Sequence, residues 1–240
     1  MFVQVLVFYI LTWFCLVLLG GLQQASGVLP AEIGLAQWGP GLAGFLMVLI
    51  FRKPGLKLTF LSKGTPSLRY LAAALIPVGV SLVVLLVSMP LTIESSPSSY
   101  NSLPLVLLWM PLGALGEEIG WRGYLHKRLD GRLRGIVSSV IVGLLWMPIH
   151  VHFFAEGPLF LFFFALLLIA YSVVIYALVQ DSGFSILVAT FFHFAVNLSN
   201  LLFLDKLYDT TFMAVNALVW VVVAAVVVGM KKEIFIAQKQ

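Results

Sequence analysis

Residues 159–180 read LFLFFFALLLIAYSVVIYALVQ, with no charged side chain from Leu159 to Gln180. A helix that crosses the hydrocarbon core of a bilayer needs about 20 mainly apolar residues, so this stretch predicts a membrane span. Similar runs lie near 2–20, 34–51, 70–91, 103–123, 136–155, 184–204 and 212–230. The run at 34–51 is the least regular, because Gly39, Pro40, Gly41 and Gly44 interrupt it. The expected fold class is therefore all-α, a polytopic membrane bundle of about eight transmembrane helices, with residues 1–240 as a single integral membrane domain.

Composition agrees. Of 240 residues, 61% are hydrophobic and only 10% are charged, and the mean hydropathy is +1.07. The connections are short, with no internal repeat and no segment that reads as a soluble domain. Pro54, Pro66, Ser95, Ser96, Pro97, Ser98 and Ser99 mark loops between spans. No basic region precedes the first apolar run, so residues 2–20 are expected to be a retained span and not a cleaved signal. Cys15 is the single cysteine, which excludes an intrachain disulfide and a cysteine-built metal cluster.

The net charge of +4 is a matter of topology. With the amino terminus cytoplasmic, one side carries Arg52, Lys53, Lys57, Lys63, Arg69, Arg122, Lys127, Arg128, Arg132, Arg134, Lys231, Lys232 and Lys239, and the other carries only Lys206. That asymmetry predicts an even number of spans, with both termini in the cytoplasm. The basic residues flank spans and suit anionic membrane lipids. No nucleic-acid motif accompanies them, so no nucleic-acid partner is expected.

Glu32, Glu94, Glu156, Asp181, Asp205 and Asp209 fall at predicted span ends, where solvation accounts for them. Seven polar residues remain in or near the spans: Glu117, Glu118, Arg122, His150, His152, His193 and Asn197. Ionisable groups at membrane depth are costly and usually functional. If the fourth span is helical to about Tyr124, Glu118 and Arg122 share a face at i,i+4. Glu117 then points about 100° away. Glu118 is expected to be held ionised by Arg122, or the pair simply fixes packing. Glu117 is expected to face a cavity and to accept a proton from water. On a helix, His150 and His152 lie about 200° apart, so one of them at most faces a given site. His193 and Asn197, again at i,i+4, offer donors for a carbonyl oxygen that becomes an oxyanion, and Asn200 extends their stripe. His126, in the basic stretch 124–135, reads as surface.

The strings EEIGWRGYL, GLLWMPIH and SILVATFFHFAVN carry these residues in a fixed order: Glu117-Glu118-x-x-x-Arg122, Trp146-x-x-x-His150 and His193-x-x-x-Asn197. Together they resemble the three motifs of the CPBP family, the CAAX-protease and bacteriocin-processing intramembrane endopeptidases. The resemblance covers about residues 105–200 and marks them as the expected catalytic core, from the fourth span to the seventh. Family members often have phenylalanine and glycine around the second motif, where this chain has Trp146 and Met147.

The resemblance implies hydrolysis of a peptide bond inside the membrane, near its cytoplasmic leaflet, and the compact chain reads as that of a bacterial plasma-membrane protein. The substrate would be a membrane-bound or lipidated protein or peptide. Glu117 with His150 would activate water, His193 and Asn197 would hold the oxyanion, and Glu118 with Arg122 would orient the first motif. The kinks at Pro111 and Pro148 are where a wet cavity is expected. Two histidines and a glutamate are also a zinc ligand set, but the zincin arrangement of two histidines one helical turn apart is absent. A mechanism without a cofactor is favoured, with zinc as the alternative. An ion-coupled transporter or a non-catalytic immunity or scaffold protein are the competing classes.

Overall fold

A computed structural model of the chain describes residues 1–27, 29, 33–51, 57–62, 64–89, 103–201 and 206–236. Among these residues every regular element is helical. The long helices are α1 (Phe2–Ser26), α2 (Gly39–Phe51), α3 (Ser67–Ser88), α4 (Leu103–Glu118), α6 (Gly135–Trp146), α7 (Pro158–Val179), α8 (Ile186–Asn200) and α9 (Thr210–Met230). Short α5 (Lys127–Asp130) and α10 (Lys232–Ile236) complete the set. Five segments are long and apolar enough to cross a membrane, and three shorter apolar helices, Leu35–Phe51, Gly135–Ile149 and Ile186–Asn200, join them. The protein is a multi-pass α-helical membrane protein.

The charge-free run 159–180 becomes α7, the most enclosed of the five long apolar segments, packed against α6, α8 and α9. A helix apolar on every side belongs either in lipid or inside other helices, and here neighbours cover most of it. α1 lies at the periphery against α2, its outer face carrying exposed Leu6, Ile10 and Phe14.

The glycines that make the second run irregular form its packing face. Gly39, Gly41 and Gly44 are buried, and α2 meets α4 and its continuation at near backbone contact. A β-carbon on Gly116 would lie 2.9 Å from the Trp38 ring and 3.1 Å from the Gln37 carbonyl, and one on Gly120 would run into the Pro40 carbonyl. Small residues at such crossings let helix backbones approach, which is how packing replaces hydrophobic drive in a membrane.

Two boundaries differ from the sequence reading. The fourth span does not stop at 123. A π-helix continues it over Ile119–His126 and α5 carries it to Asp130, so Glu117 lies near the middle of a segment running Leu103–Asp130. Arg122 and His126 are tolerated there because protein, not lipid, surrounds them: both are fully buried. His126 is therefore no surface residue. Its ring stacks on Tyr176 at 5.0 Å and packs against Phe184 at 5.7 Å. The fifth span is also not one helix to 155. α6 ends at Trp146, a 3-10 turn spans Met147–Ile149, His150 takes φ −87°, ψ 58°, and a second 3-10 turn runs Val151–Glu156. Proline at 148 cannot donate to the helical ladder, which accounts for the break.

Polar contacts gather one end of the bundle. Arg69 bonds Asp181 at 2.7 Å, Lys127 bonds the Lys57 carbonyl at 2.8 Å and Lys231 bonds the Ala177 carbonyl at 3.0 Å. Arg128 reaches Gln4 at 2.7 Å. At the other end Asp209 caps α9 by accepting from the Phe212 amide at 2.6 Å. Glu32, Glu94, Asp205, Arg52, Lys53, Lys63, Lys239, Pro54 and the serine-rich loop at 95–99 lie outside the described residues.

Candidate active site

The site starts where α4 passes into the π-helix. At this junction Glu118 and Arg122 sit one turn apart, and Arg122 Nη1 donates to Glu118 Oε1 at 2.7 Å with both side chains fully buried. π segments inside α-helices recur at functional sites. Arg122 also donates through Nη2 to Ser172 on α7 at 3.2 Å, which ties the motif to the central helix. Glu118 Oε1 takes a second partner, His193 Nδ1 on α8, at 2.9 Å. One buried carboxylate thus joins α4 to α8 through an arginine and a histidine.

Glu117 faces away from that pair and lines a cavity of about 350 Å³. Its Oε2 accepts a hydrogen bond from Trp146 Nε1 at 2.7 Å. Trp146 is the hub of the site. Its ring lies under the Arg122 guanidinium, 4.3 Å from the centroid, and packs edge-on against His193 at 5.1 Å. A cation over an indole face is attracted by the ring quadrupole. The same side chain therefore holds Glu117 by its N–H and Arg122 by its face.

The bond partners settle which protons the histidines carry at Nδ1. His150 Nδ1 lies 3.1 Å from the Trp146 carbonyl, which only accepts, so Nδ1 donates. His193 Nδ1 faces a carboxylate already bonded to arginine, so it donates too. Each ring is left with Nε2 for the cavity, as a lone pair when neutral and as a donor when protonated. Asn197 and Asn200 line the same cavity.

His152 lines the cavity as well, contrary to the expectation that it sits apart from His150. The 200° separation holds only on an α-helix, and the chain has left the helix at Trp146. The two rings lie 6.0 Å apart, with Phe153 stacked beside them. All six residues expected at the site, Glu117, Glu118, Arg122, His150, His193 and Asn197, are in this region. Glu118 and Arg122 form the buried support, and the other four line the cavity.

Sequence reasoning missed several residues. Trp146 entered it as an aromatic ring and not as a donor. Tyr171, Asn216 and Gln37 also line the cavity. The visible signal was a polar group inside an otherwise apolar run, which marks Tyr171, Ser172 and Asn216 as clearly as it marks His193. Among the described residues, no three His, Cys, Asp or Glu side chains come close enough to hold a metal ion. Glu117, His150 and His193 line one cavity without converging on a point.

Residues 99–199 match the family model described as type II CAAX prenyl endopeptidase Rce1-like. The chain is 28% identical over 141 residues to a protein of Methanococcus maripaludis named CAAX prenyl protease 2, covering 54% of this chain and 51% of that one. It is 25% identical over 226 residues to lysostaphin resistance protein A of Staphylococcus epidermidis, covering 90% of this chain and 58% of the relative. The counterpart in Staphylococcus aureus is 24% identical over 236 residues, covering 94% and 56%. The chain thus spans little more than half the length of the curated relatives it matches.

Proposed function

We propose, from the match of residues 99–199 to the type II CAAX prenyl endopeptidase Rce1-like family model, that this chain is an intramembrane endopeptidase of the CPBP family and hydrolyses peptide bonds of membrane-associated substrates with water activated by Glu117. The observation that carries this reading is the position of Glu117. It lies on a buried cavity floor, fixed by the Trp146 N–H, in the same cavity as His150, His193 and Asn197.

The steps follow from the bonding. Glu117 takes a proton from a water whose other hydrogen is held by the lone pair of His150 Nε2. The hydroxide adds to the scissile carbonyl carbon, and the oxygen becomes an oxyanion. The Asn197 carboxamide donates to it. His193, whose Nδ1 proton is committed to Glu118, donates to it only where Nε2 also carries a proton. Collapse of the tetrahedral intermediate breaks the C–N bond, and Glu117 returns its proton to the departing nitrogen. Oriented donors in a water-poor site are worth most where charge develops. Glu118 and Arg122 touch neither water nor substrate and act as positioning residues.

Histidines that bind zinc usually donate their second ring nitrogen to a carbonyl or carboxylate, as His150 and His193 do. Their failure to converge with Glu117 on one point favours the cofactor-free route. The positive-inside rule supports placing the basic end of the bundle in the cytoplasm, and a bacterial plasma membrane is the setting proposed for it.

The test is cleavage of a panel of quenched fluorescent peptides with apolar segments by purified protein in liposomes. Glu117→Gln should abolish cleavage with normal expression and thermal stability. Undiminished cleavage by that variant would remove Glu117 from the reaction. Proton flux lost in Glu117→Gln, with no cleavage by the parent protein, would make the chain a transporter.

A further inference from the structure

The cavity has a direction. Its lining comes from the first parts of α4, α7 and α9, such as Met110, Phe164 and Met213, and from the last parts of α6 and α8, such as Trp146 and Asn197. Neighbouring helices run antiparallel, so all these parts lie at one end of the bundle. The floor is closed, with Glu117, Trp146 and His193 each under 10% exposed. Exposure rises outward to Asn197, Asn200 and the exposed His152. Tyr208, about half exposed, packs on Phe153 at 5.4 Å and borders the mouth.

The basic collar is at the opposite end. Lys57 follows α2, Arg69 lies in the first turn of α3, Lys127 and Arg128 open α5, Arg132 and Arg134 precede α6, and Lys231 and Lys232 follow α9. The bonds from Arg69 to Asp181, Lys127 to Lys57 and Lys231 to Ala177 hold them together. Among the described residues the cavity end has Lys206 alone of lysine and arginine, beside Glu156 and Asp209. Ten residues separate Glu117 from Lys127, on the order of 15 Å along a helix. Orientation of helical membrane proteins follows the lysine and arginine bias of their short loops.

We propose that the cavity opens on the extracytoplasmic side of the membrane and admits an apolar peptide segment presented from that side. Such a segment would belong to an exported peptide or to the outer end of a membrane-anchored protein, and not to the cytosolic tail of a lipidated one. The walls suit it: Phe153, Phe164, Leu167, Leu168 and Val196 are apolar, with Glu117 and His193 at the floor and Asn197, Asn200 and His152 toward the mouth. The substrate half of this inference rests on the protease reading; the orientation half does not.

The test uses the full chain with Cys15, its buried and only cysteine, changed to Ala, in bacterial spheroplasts. A membrane-impermeant maleimide should label Tyr208→Cys before permeabilisation and Lys232→Cys only after it. The reverse pattern, or equal labelling of both, overturns the orientation. In the second arm, quenched apolar peptides are added to spheroplasts expressing the unmodified chain. Cleavage without permeabilisation that is lost in Glu117→Gln supports external access, whereas cleavage only after permeabilisation overturns it. Outside labelling of Tyr208→Cys with no cleavage, even in detergent, leaves the orientation standing and refutes the protease reading instead.

Discussion

Trp146 Nε1 donates to Glu117 Oε2 at 2.7 Å, and through this bond the helix break after α6 controls the carboxylate on α4. The indole is fixed on three sides, by Glu117, by Arg122 over its face at 4.3 Å and by His193 at its edge at 5.1 Å. A phenylalanine would keep the ring and lose the bond. A hydrogen bond to a charged group contributes about 1.5–3 kcal/mol, which is roughly 10- to 100-fold in rate at about 1.4 kcal/mol per decade. Trp146→Phe is expected to lower kcat by that factor with KM within about twofold, and to lower the thermal midpoint modestly because Glu117 Oε2 loses its buried donor. Peptide cleavage kinetics on the purified variant check it. A rise in KM with kcat unchanged would mean that Trp146 serves the substrate and not Glu117.

Removing one member of a buried ion pair strands the other, at a cost of about 3–5 kcal/mol. Arg122→Met should therefore lower the thermal midpoint in detergent sharply, since Glu118 would keep only His193 as a partner. Glu118→Gln combined with Arg122→Met should recover much of that stability and none of the cleavage. Thermal unfolding beside turnover separates the two effects. Recovered turnover in the double variant would contradict a positioning role for the pair.

The rate should fall in acid. Glu117 must be ionised to take a proton from water, so acid that protonates it removes the base. His193→Ala, which takes away the ring that joins Glu118 to the cavity, should lower kcat with KM within about twofold. A rise in KM with kcat unchanged would assign His193 to substrate binding instead.

Chelators are expected to leave turnover within about twofold of the untreated rate, because the candidate donors do not meet at one point as a zinc site requires. Metal analysis of the purified protein should find zinc well below one equivalent. Activity lost to chelation and restored by zinc would replace the carboxylate-only mechanism.

Gly120→Ala should destabilise the bundle by about 1–3 kcal/mol, the usual range for overpacking, since its β-carbon would strike the Pro40 carbonyl. Gly79→Ala in α3 meets no atom within 4 Å and should be neutral or mildly stabilising. Paired melting curves check this contrast, and equal effects would remove the tight α2–α4 crossing as its cause.

The sequence by itself determined the helical membrane fold, because a charge-free run such as 159–180 has one low-energy fate in contact with lipid. It also determined the pairing of Glu118 with Arg122, because i,i+4 contacts are local to one helix. Tertiary structure decided the rest. Whether His152 joins His150 depended on where α6 breaks, and local spacing on an assumed helix gave the wrong answer. His126 was placed at the surface because charge in a basic stretch reads as solvated, yet the extended fourth segment buries it under Tyr176. The bond from Trp146 to Glu117 and the link from His193 to Glu118 join residues far apart in sequence, so no periodicity can encode them. Glycines that weaken a span as a pattern strengthen it as a contact, and that reversal exists only once α2 lies against α4. The direction in which the cavity opens came from combining the two: charge bias marks one end, and only packing shows that the cavity belongs to the other.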